Sequence, residues 1–377
     1  MYRITGPVQT VAYAKSLISC PFLSPGNTSV KAVAYAEFGG PLNIATLPDP
    51  VTPIGGVVVE VTATGLCRSD WHGWQGHDDD IRVFPHVPGH ELAGVVVAVD
   101  STVTRVRVGD RVTTPFVLGC GVCSTCEAGD QQVCPHQWQP GFHGWGSFAE
   151  YVALPFADTN LVRLPPDITD EVAASLGCRT ATAYRGLVQV GGLRSGEQVA
   201  VFGCGGVGLS AVMIARSRGA RVIAVDPNPI ARQLARTAGA AVTLTPGEAL
   251  VAEVVAASEG GVHLSLDAIG SPDVLRTAVL SLRRRGRHVQ AGLLPQDAVI
   301  PMARVIAWEL SVRGTHGMAA HDYAEMLADV ATHRLRPDSF VSRHITLDET
   351  PHALAELNTA AQVPGVTMIR PGRAVTI

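Results

Sequence analysis

Eight cysteines lie in the 377-residue chain, at positions 20, 67, 120, 123, 126, 134, 178 and 204. Four of them, Cys120, Cys123, Cys126 and Cys134, follow a C-x2-C-x2-C-x7-C spacing on a glycine-containing loop. Four thiolates this close form a closed tetrahedral set, the arrangement of a structural zinc. An iron-sulfur cluster, disulfides or idle thiols are the alternatives; the tight loop spacing and the lack of an electron-transfer signature favour zinc. Three more candidate ligands are dispersed: Cys67 in Cys67-Arg68-Ser69-Asp70-Trp71-His72, His90 in Gly89-His90-Glu91-Leu92-Ala93-Gly94, and Cys178 in Leu176-Gly177-Cys178-Arg179-Thr180-Ala181-Thr182. Two thiolates and one imidazole would leave a tetrahedral position open, as a catalytic metal requires. Singly, Cys178 reads as a small buried apolar residue and His90 as a satisfied core histidine; the motifs around them make them candidates. Cys20 and Cys204 have no assigned role.

Composition narrows the chemistry further. Lys15 and Lys31 are the only lysines among 29 basic residues. Beyond residue 31 the chain therefore cannot build a Walker-type phosphate loop, a pyridoxal Schiff base or a Tyr/Lys reductase pair. A net charge of −4 and a pI near 6.3 leave no basic field for nucleic acid or an acidic membrane. Hydrophobic residues at 46% and charged residues at 16%, with 39 Gly and 25 Pro, describe a loop-rich globular protein, long enough for two domains. No run of 18 apolar residues is present. The moderately apolar stretch 8–23 is interrupted by Gln9, Lys15 and Ser16, so no signal peptide is expected.

The elements that must carry these residues fall into two regimes. From Lys31 to about Pro166, short β-rich runs at 57–62, 92–100, 111–114 and 148–154 are punctuated by turns, which predicts a mostly antiparallel, barrel-like domain. From about Glu171, strands at 198–202, 221–226, 264–267 and 286–291 alternate with helices at 208–217, 230–238 and 274–282, which predicts parallel βαβ units. A helix at 322–332, a strand at 340–347 and a helix at 352–360 follow. The strand 198–202 runs into Gly203-Cys204-Gly205-Gly206-Val207-Gly208 and then a helical pattern, the strand-turn-helix context a G-x-G-x-x-G dinucleotide loop needs. Asp226 ends the next strand, where a carboxylate accepts ribose hydroxyls and repels a 2′-phosphate, favouring NAD over NADP. Arg232, a few residues on, could weaken that preference.

Taken together, the C-R-S-D-x-H block, G-H-E-x-x-G, the four-cysteine loop, the G-C-R-x-x-T-A-Y stretch and the glycine fingerprint resemble, in order, the zinc-dependent alcohol dehydrogenases of the medium-chain dehydrogenase/reductase superfamily. A two-cysteine, one-histidine zinc site is the set known from alcohol dehydrogenase. The resemblance runs from Lys31 to the C-terminus. It implies an α/β fold with a GroES-like antiparallel β-barrel catalytic domain (31–178 and 316–377) and a doubly wound Rossmann domain (179–315), after an N-terminal extension (1–30). It further implies NAD, one catalytic and one structural zinc, and reversible oxidation of primary or secondary alcohols to aldehydes or ketones. A specialised polyol, amino alcohol or hydroxymethyl adduct is the alternative substrate class. A non-catalytic NAD-binding redox sensor is disfavoured.

Residue roles are carried over on the same ground. Cys67, His90 and Cys178 would hold the catalytic zinc, lowering the pKa of a bound alcohol. Ser69 and His72 would relay its proton, Asp70 would fix His90 through the second ring nitrogen, and Glu91 would lie behind the metal. Arg68, Thr182, Gly292 and Leu293 would touch the cofactor together with Gly203, Gly205, Gly206, Val207, Gly208 and Asp226. Trp74 and Phe116 would line the substrate pocket. The family further suggests a cytoplasmic homodimer or homotetramer acting on small molecules, without nucleic-acid or membrane partners.

Overall fold

The computed structural model describes residues 29–358 and 364–372. The N-terminal extension to residue 28, with Lys15 and Cys20, lies outside the described residues, as does the end of the helix expected to reach Ala360. Among the described residues no helix is long and apolar enough to cross a membrane.

The first half is built from seven strands: β1 (Ser29–Ala34), β2 (Asn43–Pro48), β3 (Val57–Leu66), β4 (Glu91–Val99), β5 (Arg111–Thr113), β6 (Tyr151–Leu154) and β7 (Val162–Arg163). β1 and β2 pair with each other, while β3 pairs antiparallel with both β4 and β6. Alternating valines of β3, Val57, Val59 and Val61, face Leu92, Val96 and Val112 in a dry core. Toward its end β3 is buried on both faces. That end carries Cys67 and leads into the seven-residue helix Arg68–Trp74.

The second half is a six-stranded parallel sheet of β8 (Gln198–Phe202), β9 (Arg221–Val225), β10 (Val242–Leu244), β11 (Val262–Asp267), β12 (Leu282–Gln290) and β13 (Ser311–Gly314). Its strand order is β10-β9-β8-β11-β12-β13, so the winding reverses between β8 and β11. Ligands of doubly wound sheets bind beyond the carboxyl ends of the strands at such a reversal. Here those ends are Phe202 and Asp267, with the glycine loop attached to the first. The helix after that loop runs Gly206–Ser217, two residues earlier than its apolar spacing suggests. Gly208 must be glycine because a Cβ there would overlap the Gly203 carbonyl.

The chain then returns. β14 (Val341–Thr346) and β15 (Val366–Arg370) join the first sheet, with β15 antiparallel to β3 at Thr367 to Leu66. β14 and β15 are parallel to each other, a departure from the antiparallel pattern expected there. Arg218, at the end of the Gly206–Ser217 helix, bonds Glu325 (2.8 Å) and Asp329 (2.9 Å) of the returning helix Tyr323–Ala331 and reaches the Tyr184 hydroxyl. One cation thus ties the parallel sheet's first helix to the returning segment.

One boundary differs instructively. The helix expected over 274–282 is Pro272–Leu280, and β12 starts at Leu282. Leu275, Val279 and Leu282 continue one helical stripe, so spacing alone extends the helix, whereas Leu282 pairs with Val262 across the sheet. Leu266, fully buried in central β11, tests the parallel sheet. Leu266→Ala is expected to cost about 3 kcal/mol of unfolding free energy, seen as a lower urea midpoint, with metal content unchanged.

Candidate active site and metal centres

The helix Arg68–Trp74 begins where β3 ends, and its third residue organises the site. Asp70 is buried; its Oδ2 accepts the Cys67 backbone N–H (3.0 Å), and its Oδ1 accepts the Gly89 N–H (3.1 Å) and sits 2.8 Å from His90 Nδ1. One carboxylate therefore fixes the backbone of one candidate ligand and the ring of another. The imidazole donates through Nδ1, so in the neutral ring Nε2 is a bare lone pair. Nε2 is buried without a hydrogen-bonding partner, the state of a nitrogen that could ligate a metal ion. Burial alone would lower the His90 pKa; the Asp70 carboxylate outweighs it and holds the ring well above its usual value.

Cys178 enters from the other side, on a π-turn over Leu176–Thr180 that the hydrophobic spacing does not reveal. The donor atoms of Cys67, His90, Glu91 and Cys178 lie within 4.8 Å of one another. Hydrogen bonding from the Cys178 thiol pulls the Cys67 thiol well below its ordinary value, and the same contact raises Cys178. Cys67 is thus the readier thiolate, and a metal ion would have to displace the proton that Cys178 keeps. Ser69 Oγ is 3.8 Å from Cys67 Sγ, placing the hydroxyl at the rim of the ligand set.

Glu91 is fully buried. Burial raises its pKa, opposed by Arg179, whose Nε is 3.0 Å from Oε1 and whose Nη2 meets Oε2 and donates to the Leu66 carbonyl at 3.0 Å. Gly65 leaves the room for this pair: a Cβ would strike Glu91 Oε2 and press on Arg179 Nη2. Arg179 also runs alongside Gly206 of the glycine loop, where its Cδ would lie 3.1 Å from an added Cβ. The cation therefore stands between the carboxylate behind the ligands and the dinucleotide loop. Sequence reasoning missed it, although Arg179 directly follows Cys178.

Two aromatic rings close on His90, Phe116 at 6.1 Å and Phe142 at 5.4 Å between centroids. Phe116 is the residue expected from the sequence to line a substrate pocket; Phe142 has no such signal, because nothing in its local spacing sets it apart. His316 stacks edge-on against Phe116 at 5.2 Å, its Nδ1 3.0 Å from the Gln132 carbonyl. Trp74 instead donates its indole N–H to the Gly40 carbonyl at 2.8 Å. His72 lies in the last turn of its helix, with Nδ1 2.9 Å from His77 Nδ1. Arg68 opens that helix and is exposed.

At the dinucleotide loop, Asp226 Oδ2 accepts the Cys204 N–H (2.7 Å) and Oδ1 the Asn228 N–H (2.8 Å). Arg232 is occupied with the carbonyls of Asp226 (2.7 Å) and Pro227 (2.8 Å). Thr182 is buried beyond the π-turn; Gly292 donates to the Asp267 carbonyl at 2.8 Å, and Leu293 is exposed.

The four-cysteine loop forms a second cluster, its sulfurs within 4.8 Å of one another. Cys120 to Cys126 is 3.9 Å and Cys123 to Cys134 is 3.7 Å. Four sulfurs at about 2.3 Å from one tetrahedral zinc stand roughly 3.8 Å apart, so the spacing fits that ion. Backbone N–H groups of Cys120 and His136 point at Cys134 Sγ, at 3.4 and 3.3 Å. The Cys126 N–H lowers the Cys123 thiol to about 7, while burial pushes Cys126 up to about 12.

Comparison with known proteins agrees with this geometry. Residues 53–166 match the alcohol dehydrogenase GroES-like domain and residues 206–332 the zinc-binding dehydrogenase family. An alcohol dehydrogenase of Geobacillus stearothermophilus is 32% identical over 308 residues, covering 81% of this chain and 90% of the relative. The L-threonine 3-dehydrogenase of Streptomyces coelicolor is 33% identical, covering 76% and 84%. The structure of a cobalt- and zinc-bound thermostable alcohol dehydrogenase from Pyrobaculum aerophilum superposes with a TM-score of 0.80 at 27% identity, covering 91% and 100%.

Removing one partner of the buried ion pair strands the other. Arg179→Met is expected to destabilise the fold by about 3–5 kcal/mol in urea unfolding, and the double variant with Glu91→Leu to recover most of it.

Proposed function

The chain belongs to the zinc-binding alcohol dehydrogenase family, and from that premise we propose that it oxidises primary or secondary alcohols reversibly, with NAD as hydride acceptor. The orphaned, buried Nε2 of His90, within 4.8 Å of two cysteine sulfurs, is the observation that carries this reading. Zinc held by Cys67, His90 and Cys178 would supply Lewis acidity toward an alcohol oxygen, and a second zinc would be held by Cys120, Cys123, Cys126 and Cys134. In this reading residues 31–178 and 316–377 carry the catalytic groups and 179–315 the cofactor.

The chain's own residues do the rest. Asp70 keeps His90 in its metal-binding tautomer. Phe116 and Phe142 keep water from the face of that ring, and Phe116, with Trp74 more remotely, borders the substrate. Ser69 would take the alcohol proton, and His72 would be the base that receives it. Glu91 stays behind the ligands, neutralised by Arg179. The loop Gly203, Gly205, Gly206, Val207 and Gly208, at the N-terminus of a three-turn helix, and Arg68 would hold the cofactor pyrophosphate. Thr182, Gly292 and Leu293 border the nicotinamide.

NAD is favoured over NADP by Asp226, whose carboxylate faces the ribose position while Arg232 is tied to two carbonyls. The alcohol dehydrogenase of Geobacillus and the threonine dehydrogenase of Streptomyces bracket the substrate class, a simple alcohol or a polar hydroxy compound.

A panel of alcohols with NAD, followed by the near-ultraviolet absorbance of the reduced cofactor, tests the reading directly. Turnover on at least one alcohol and two zinc ions per chain are expected. Cys67→Ala should lose one ion and all turnover while staying folded. No reduced cofactor from any alcohol, or far better turnover with NADP, would sink it.

The pH dependence has a definite sign. Desolvation, then the charges of His77 and Arg68, lower His72 below its ordinary value. A base with a lowered pKa stays neutral further into acid. Alcohol oxidation should therefore fall only below about 6.5, the usual histidine value, and His72→Gln should remove that acid limb.

A further inference from the structure

His72 and His77 form a pair that the proton relay described above does not use. Their Nδ1 atoms are 2.9 Å apart, their ring centroids 5.2 Å. The backbone fixes them: the His77 N–H donates to the His72 carbonyl at 3.0 Å, and Gly76 between them takes a φ of 75°, where an added Cβ would strike the Phe38 ring. Trp71 sets its edge to both imidazoles, at 5.1 and 5.8 Å. Both histidines are exposed.

A hydrogen bond between two Nδ1 atoms needs one donor and one acceptor. When His72 is the donor, its proton is on Nδ1 and its Nε2 is a bare lone pair, the form a relay base requires. His77 is then the acceptor and carries its own proton on Nε2. We propose that His77 is the outlet of the relay, receiving the Nδ1 proton of His72 as His72 Nε2 takes up the proton of the alcohol.

The step balances. One proton arrives at His72 Nε2, the Nδ1 proton of His72 crosses to His77 Nδ1, and the Nε2 proton of His77 leaves to water. Both rings end neutral with their tautomers exchanged, and exposure lets their ring protons exchange with water before the next turnover. The same path runs backward in aldehyde reduction. His77 acts through His72, so it is a positioning and relay residue. The surrounding charges are Arg68 one turn earlier, Cys67 at the helix start and Asp78 after His77. On the helix Thr350–Glu356 packed against this one, His352 and Glu356 pair at 3.1 Å.

The inference rests on the reading of His72 as relay base, and the experiment separates the two. Zinc-loaded protein is mixed with NAD and an alcohol, and the first turnover is followed. His77→Phe, which keeps a ring against Trp71, and His77→Gln, which keeps a hydrogen bond but cannot pass a proton on, should both slow that turnover about tenfold at pH 6–7, less than loss of the base itself. The KM for alcohol should be unchanged, and added imidazole should restore the rate. Full rate in both His77 variants with a slow His72→Gln overturns the outlet and leaves the relay standing. Full rate in His72→Gln overturns the relay and the outlet together. Nitrogen-15 spectra of the histidines without cofactor or alcohol give a readout independent of activity. His72 should show its proton on Nδ1, and His77→Gln should move its titration midpoint; an unmoved midpoint overturns the pair.

Discussion

Burying a carboxylate, two thiols and an imidazole within 4.8 Å of one another is the constraint on which the rest of this molecule depends. His90 and Glu91 are buried from solvent there, and an unpaired buried charge costs several kcal/mol. With both sulfurs ionised, Cys67, Cys178, Glu91 and Asp70 bring four negative charges. Arg179 brings one positive charge, and a divalent ion held as proposed would bring two more. The small negative balance would suit the cationic nicotinamide of the proposed oxidised cofactor. The elements around the pocket serve this balance, from the bare Gly65 on β3 to the π-turn that delivers Cys178 and Arg179 together.

Two carboxylates divide the work. Asp70 is satisfied by two backbone N–H groups and one imidazole, so it locks geometry. Glu91 is satisfied almost wholly by Arg179, through its guanidinium and its backbone N–H at 3.2 Å. Arg179 in turn holds the Leu66 carbonyl and lies along Gly206, so it touches the strand leading to Cys67 and the dinucleotide loop at once. Arg179 thus links the glycine loop to the carboxylate beside Cys67, His90 and Cys178.

How much of this the sequence discloses depends on how local each signal is. The four-cysteine loop, the glycine fingerprint and Asp226 lie close along the chain, and all are found where their spacing puts them. Cys67, His90 and Cys178 are far apart, and only the motifs around them marked them as one set. Phe142 and His77 escaped because they reach the site through a loop fold, with no periodicity to show it. The π-turns at Leu176–Thr180 and Arg185–Val190 escaped because one extra residue per turn leaves the apolar pattern nearly intact. Leu282 was misplaced for the converse reason: it fits a helical stripe and a strand equally well.

The scarcity of lysine becomes intelligible at Arg179. A buried ammonium loses its proton as desolvation lowers its pKa, and Glu91 would then lose its counter-charge. A guanidinium keeps its charge, and the Glu91 carboxylate raises the Arg179 pKa further despite burial. Its planar fork also makes bonds to both Glu91 oxygens and to the Leu66 carbonyl, directions that one tetrahedral ammonium on a flexible stem would not hold together. The same reasoning covers Arg218, which serves Tyr184, Glu325 and Asp329 from one side chain at the junction of the two halves. Where one cation bridges several fixed acceptors, dry at Arg179 and partly exposed at Arg218, the planar guanidinium fork supplies the directions as well as the charge.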